Sequence, residues 1–265
     1  HLRGEIEGFG RQKQRFNQWQ KHHIDDAESG KQYDLAIYNI VDYFHLCMEN
    51  NPNMIDSLFT PQRCVLHCTH VGNLVREHRP KMIIAGYTSY PWAPDWLAFR
   101  SIADEVGAIL LADISHPAGM VVAGAFPSPV GIADVITFTT HKTLCGPRGA
   151  VIMTTDEEMA NRIDMAVFPG EQGGPHTQKF AAMAVAFKIA QTEPFRRLQF
   201  KIGENAVALA EGLQKRGLKL AYGGTDSHFC MLDLNGIETD TGFPLRGEPA
   251  VRLLDMAGIV ANKNT

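Results

Sequence analysis

The chain has 265 residues, of which 45 % are hydrophobic and 20 % charged, with a formal net charge of -4. That balance leaves no overall basic footprint for nucleic acid, and no apolar run approaches the length that spans a bilayer. The opening residues do not read as a secretory signal, and five cysteines, an odd number scattered over a long chain, suit reduced thiols in a cytoplasm better than a disulfide framework.

Residues 1–79 differ in texture from the rest of the chain. Charged and amide side chains dominate 1–20, with few apolar anchors, and KHHIDDAESGK at 21–31 reads as a polar connector. Over 33–50 the apolar residues Ile37, Tyr38, Val41, Phe44 and Met48 recur at helical spacing, and Asn50-Asn51-Pro52-Asn53 ends that helix. The run YDLAIYNIVDYFHLCMENNPNMIDSLFTPQRCVLHCTHVGNLVREHR resembles the middle of a family of bacterial nucleotidyltransferases. Such enzymes need a Gly-Ser turn and spaced aspartates to hold Mg²⁺ against a nucleotide. Neither occurs in 1–79, so that chemistry does not carry over. Cys64, His67, Cys68 and His70 lie close in sequence, but no distant second pair completes a zinc site, so no metal is expected.

From Lys81 an α/β pattern sets in. Met82–Ala85 reads as a short buried strand ending at Gly86, Asp95–Val106 as a helix with Phe99, Ile102, Ala103 and Val106 inward, and Ala108–Ala112 as the next strand. Strand, helix and strand in about thirty residues make a unit whose strands run parallel. The β-branched run Val135–Thr140 reads as a buried strand over Asp134–Thr140, followed by His141-Lys142 and a turn at Gly146-Pro147-Arg148-Gly149. Another strand is expected at Ala150–Thr154, with Asp156 capping a helix from Glu157. Long helices are expected over His176–Gln191 and Phe195–Arg216. A smaller α/β unit follows, with strands at Leu218–Tyr222, Phe229–Leu234 and Ile259–Ala261, a turn at Gly223–Asp226 and a helix at Glu248–Ala257.

Asp113 and Lys142 thus fall at the C-terminal ends of two strands, where open α/β sheets bind ligands. An aspartate so placed is often only a helix cap, but Ser115 is expected to serve as the cap here. A carboxylate and an amine across one crevice suit pyridoxal phosphate: the amine attaches the aldehyde, and the carboxylate keeps the ring nitrogen protonated. An amine needs its neutral form to attack, which a desolvated site favours.

At these residues the chain resembles serine hydroxymethyltransferase (glycine hydroxymethyltransferase). THKTLCGPRGA looks like that family's cofactor-lysine segment, and ADISHPAGMVVAG, FPGEQGGPHTQ, GGTDSH and GIVANKNT resemble its other motifs in the same order. The match runs from about Pro80 to Thr265, with a seam expected near Val75–Pro80.

The resemblance implies a large domain of the aminotransferase-like (fold-type I) pyridoxal-phosphate class at 80–216, with a mostly parallel sheet, and the start of a small C-terminal α/β domain at 217–265. A helical segment of different origin would occupy 1–79. It implies Lys142 as the cofactor lysine, flanked by His141 and Thr139, with Thr139 helping to exchange the lysine for the substrate amine. Asp113 would sit on the ring nitrogen, His116 near the phenolic oxygen, and Thr88 where the family commonly has serine. Arg148 would be a charge near the site. Gly173-Gly174 would reach the cofactor of a neighbouring subunit, which implies a homodimer with shared sites.

The reaction implied is one-carbon transfer between serine and glycine with tetrahydrofolate as carrier, in the cytoplasm. The family's carboxylate-clamping arginine, its N-terminal glutamate and tyrosines, and its serine-rich phosphate turn have no counterpart here, so the chain alone is expected not to turn over serine. The alternatives are another pyridoxal enzyme such as a threonine aldolase, or a non-catalytic fusion fragment carrying a nucleotidyltransferase remnant.

Overall fold

Four short strands carry the described part of the molecule: β1 (Met82–Ala85), β2 (Ile109–Asp113), β3 (Val135–Thr139) and β4 (Ala150–Met153), side by side in that order. This computed structural model describes residues 63–265, apart from 238, 240, 241, 243, 244, 264 and 265. The helix expected over 33–50 lies outside the described residues, as do the polar connector and Asn264-Thr265.

β1, β2 and β3 run parallel, with Met82 opposite Ile109 and Leu111 opposite Val135. Helices make this possible, because each must carry the chain back to the same edge of the sheet. α1 (Arg63–His78) precedes β1, α2 (Trp96–Val106) joins β1 to β2, and α3 (Ala118–Ala123) lies between β2 and β3. No helix separates β3 from β4, so the chain simply reverses, and β4 runs antiparallel with Ile136 opposite Met153. The sheet is therefore mixed, and the architecture is α/β, as the alternation of elements implied.

Local chemistry accounts for the helix ends. Asp95 accepts from Ala98 N at 3.0 Å to start α2, and Gly107, at φ 70°, ends it in a left-handed turn. Asp156 accepts from Met159 N at 2.6 Å and starts α4 (Glu157–Met165), as its sequence position foretold. A π-helical turn (Ala166–Glu171) follows, then α5 (Thr177–Ala190) and α6 (Glu193–Gln214). The Thr192 hydroxyl accepts from Phe195 N, and Pro194 occupies the first turn of α6.

The core lies between the sheet and these helices. Phe99, Ile102 and Ala103 of α2 pack on Ile83, Leu110 and Ala112, and Phe99 alone contributes about 2–3 kcal/mol of burial. Val106, expected inward with them, is only half-buried at the helix end. Val71 and Val75 of α1 join the same core, as does Cys68. Among the described residues no group of three metal-ligating side chains comes together, and no helix is long and apolar enough to cross a membrane.

Three expectations are corrected. The strands expected at Leu218–Tyr222 and Phe229–Leu234 reduce to one antiparallel bridge, Leu220 with Leu232, flanked by the bonds Ala221 N to Met231 O and Asp233 N to Lys219 O. Two strands with no third neighbour form a marginal ribbon, so apolar alternation there does not lengthen into a sheet. The strand expected at Ile259–Ala261 is absent; Val260 is 90 % exposed, with no partner strand beside it to pair its backbone. The helix before it, α7, spans Gly247–Met256. Finally, Ser115 does not cap a helix. α3 starts at Pro117 with no side-chain cap, and the Ser115 hydroxyl is used elsewhere.

Candidate active site

Asp113 is the last residue of β2, and a short turn aims it. Its Oδ1 accepts from Ser115 N at 2.8 Å, which ties the carboxylate to its own backbone two residues on. The end of β1 closes against it through Gly86, at φ 152°, where a Cβ would stand 2.1 Å from the Asp113 carbonyl oxygen. Only a residue without a side chain permits that approach.

The end of β3 is held from several sides. Thr139 N donates to the Ser115 hydroxyl at 3.2 Å, and the Thr139 hydroxyl donates to Ser115 O at 3.3 Å, so the ends of β2 and β3 are cross-linked. Thr140 is fully buried; its N–H meets Gly149 O at 3.0 Å, and its hydroxyl donates into the Pro147 and Gly149 carbonyls. Gly146 N returns to Thr140 O at 2.7 Å, and Cys145 N to Lys142 O at 2.9 Å. Thr143 then ties the loop to α3: its hydroxyl donates to His116 O at 2.6 Å and accepts from Gly119 N at 3.0 Å. The fully buried Gln199 of α6 donates to Thr143 O at 2.8 Å. Lys142 is therefore anchored on both flanks, although it lies in a loop.

A small pocket, partly open to solvent, lies against the end of β2. Asp113 and His116 line it together with Tyr87, Tyr90, Trp92 and His228. Tyr90 stands edge-on between Tyr87 and Tyr222, with ring centroids 5.0 and 5.2 Å away. Trp92 Nε1 donates to Tyr222 O at 3.0 Å, and Ala93 N to Asp226 Oδ2 at 3.2 Å, which staples the loop after β1 to the turn after residue 222. Burial pushes the Asp226 carboxyl above its ordinary range.

His116 Nδ1 faces His228 Nε2 at 3.4 Å. Burial, then the positive charge of Lys142, lowers His116 below the usual imidazole range, against an opposing pull from Asp113. Burial, His116 and Lys142 together hold His228 down to about 4. Lys142 lies outside the pocket wall, yet its charge reaches both rings. Asp113, His116, His228 and Lys142 thus form one electrostatic cluster.

Of the residues expected at a site, Asp113, His116, His141, Thr139 and Lys142 come together at these two strand ends. His141 keeps a buried Nδ1 without a hydrogen-bond partner. Thr88 is exposed in the loop after β1, its hydroxyl 3.5 Å from Ser89 Oγ. Arg148 is exposed at the end of the turn. Gly173 and Gly174 stand in an exposed stretch before α5, with open space where a Cβ would be.

Sequence reading missed His228, although it ends the GGTDSH motif, and missed the bridging hydroxyls of Ser115 and Thr143. Nothing in spacing alone brings residue 228 to residue 116.

The cluster fits pyridoxal phosphate. It offers a carboxylate at the end of β2, an amine in the loop just past the end of β3, an aromatic wall for a planar ring, and buried ring nitrogens on His141 and His228 that lack partners.

Comparison with known proteins agrees. The family model for serine hydroxymethyltransferase matches residues 54–265, beginning earlier than the boundary near Pro80 that the motifs suggest. The chain is 55 % identical over 195 residues to a serine hydroxymethyltransferase of Sorangium cellulosum, covering 74 % of this chain and 44 % of the relative. It is 48 % identical over 211 residues to one from a Synechococcus species, covering 77 % and 49 %. For one from Wolbachia pipientis the figures are 49 % over 201 residues, covering 76 % and 46 %. The chain spans about half the length of these curated relatives. With a family model matched over most of its length, the chain belongs to the serine hydroxymethyltransferase family.

Proposed function

We propose that the crevice between the ends of β2 and β3 holds pyridoxal 5′-phosphate and serves reversible transfer of a hydroxymethyl group between serine and glycine, with tetrahydrofolate as carrier. The observation that carries this reading is the placement of Asp113 at the end of β2 and Lys142 in the loop just past the end of the neighbouring β3, with both charges felt at His116. The family supports the same substrates.

Lys142 attaches the cofactor aldehyde through its amine, from a loop whose flanks cannot drift. Asp113 holds a proton on the ring nitrogen, its carboxylate steadied by Ser115 N. His116 presents a ring nitrogen to the cofactor face, and His141 stands beside the lysine. Thr139 is positioned by its bonds to Ser115 to help release the lysine to the substrate amine. When bound, the protonated ring supplies an electron sink for charge developing at the substrate α-carbon.

Family membership also supports the fold-type I architecture, with a large domain at 80–216 and a small one beginning at 217. Residues around Gly173-Gly174 carry exposed apolar side chains: Met165, Phe168 and Phe180 are each more than half exposed. That exposure supports a homodimer in which this segment meets a neighbouring subunit, with Gly173, Gly174 and Arg148 near its cofactor.

The test is borohydride reduction after incubation with pyridoxal phosphate, followed by peptide mapping. The reduced label is expected on Lys142. A label spread over surface lysines and unchanged by Lys142→Ala refutes the site. Folate-dependent formation of glycine from serine then tests the reaction.

A further inference from the structure

His228 is half-buried in the pocket and clamped by rings. It lies side by side with His116, centroids 5.5 Å apart and planes 29° apart, and meets Phe229 edge-on at 4.8 Å. Its Nε2 faces His116 Nδ1 at 3.4 Å, while its own Nδ1 is buried without a hydrogen-bond partner.

Both imidazoles stay neutral near pH 7, because burial and the Lys142 charge oppose protonation of each. One proton therefore lies between the two facing nitrogens, and two arrangements are open. If His116 donates, His228 must carry its proton on the buried Nδ1, an unpaired donor. If His228 donates, that Nδ1 is a bare lone pair. Orphaned buried N–H groups are the rarer and costlier defect, so the second arrangement is favoured.

We propose that His228 is a positioning residue for the cofactor site: its Nε2–H donates to His116 Nδ1 and locks His116 in the tautomer that carries its proton on Nε2. That leaves the His116 Nε2–H as a fixed donor for an oxygen acceptor on a ligand in this pocket. The ligand part rests on the cofactor reading above; the tautomer lock does not. In the chain order it joins a residue after α6 to the loop after β2, so the lock forms only when the turn at 223–226 is seated on the Pro91–Ala93 loop.

The test reads side-chain ¹⁵N shifts of histidine-labelled chain without cofactor, assigned with His116→Gln and His228→Gln. The expected result is a single Nε2–H tautomer for His116, kept in His228→Gln, whose amide can still donate, and mixed in His228→Phe. Pyridoxal phosphate affinity should fall by about 5- to 10-fold in His228→Phe, as for loss of one fixed donor, and by less in His228→Gln. An Nδ1–H tautomer for His116 in the unsubstituted chain overturns the proposal, and so does a His116 tautomer indifferent to His228→Phe. If His228→Phe does not fold, the unsubstituted chain and His228→Gln decide the matter. Failure of borohydride labelling at Lys142 with the tautomer intact removes the cofactor reading and leaves the lock established.

Discussion

Replacing Thr143 by valine should loosen the lysine loop without altering Asp113, His116 or Lys142 themselves. The Thr143 hydroxyl is one atom serving two elements: it donates to His116 O at 2.6 Å and accepts from Gly119 N at 3.0 Å. Valine is nearly the same shape, so packing changes little, but two backbone groups lose their partner. Gly119 is buried, and the loop covers it so closely that a Cβ there would lie 2.2 Å from Thr143 O, leaving water little access. An unsatisfied buried polar group costs about 1–3 kcal/mol, and with one of the two half-exposed the sum is roughly 2–4 kcal/mol. That corresponds to about 30- to 700-fold in the folding equilibrium. With a urea slope of about 2–3 kcal/mol/M for a chain of this size, the midpoint should fall by ~1 M. Thr143→Ser keeps the hydroxyl and should lie close to the parent. The assay is urea unfolding followed by far-ultraviolet circular dichroism, with borohydride labelling of Lys142 alongside. A Thr143→Val midpoint equal to that of Thr143→Ser would show that the hydroxyl does not bridge the lysine loop to α3.

Gly119→Ala should be more disruptive than Thr143→Val, since its methyl meets rigid backbone of the lysine loop; labelling at Lys142 that proceeds at the parental rate would contradict this. His228 is depressed in the folded state, so stability should be full above pH 6.5 and fall as pH drops toward about 4, where unfolded histidine binds protons that the folded state refuses. His228→Gln should flatten that slope, read as urea midpoints across the same interval. Asp226 has the opposite sign: its folded carboxyl is raised by burial, so its protonated form favours folding, and that contribution disappears as pH rises through the raised value. Asp226→Asn keeps an acceptor for Ala93 N and should raise the midpoint at pH 7 while leaving it unchanged near pH 3.

Much of this was legible in one dimension because the signals are local. The apolar runs at 82–85, 109–113 and 135–139 have few other ways to bury themselves, and α2 between the first two compels parallel strands. Asp95, Asp156 and Gly107 mark helix ends through contacts with neighbours only a few residues away. Asp113 could be placed at a strand end and Lys142 just past one for the same reason, and the ordered motifs around them carried the family. Tertiary structure decided the rest. The lone Leu220–Leu232 bridge in place of two strands, and the bare segment at 259–261, depend on whether a third strand is present to pair with, which alternation cannot report. The meeting of His116 with His228, 112 residues apart, depends on how the turn at 223–226 seats against Trp92 and Ala93. Ser115 read as a helix cap and became a strap between β2 and β3, because its hydroxyl found Thr139 across the crevice before any helix N–H. Local hydrogen bonds and periodicity are written along the chain, whereas which distant groups share a buried space is settled only when the sheet and its loops close.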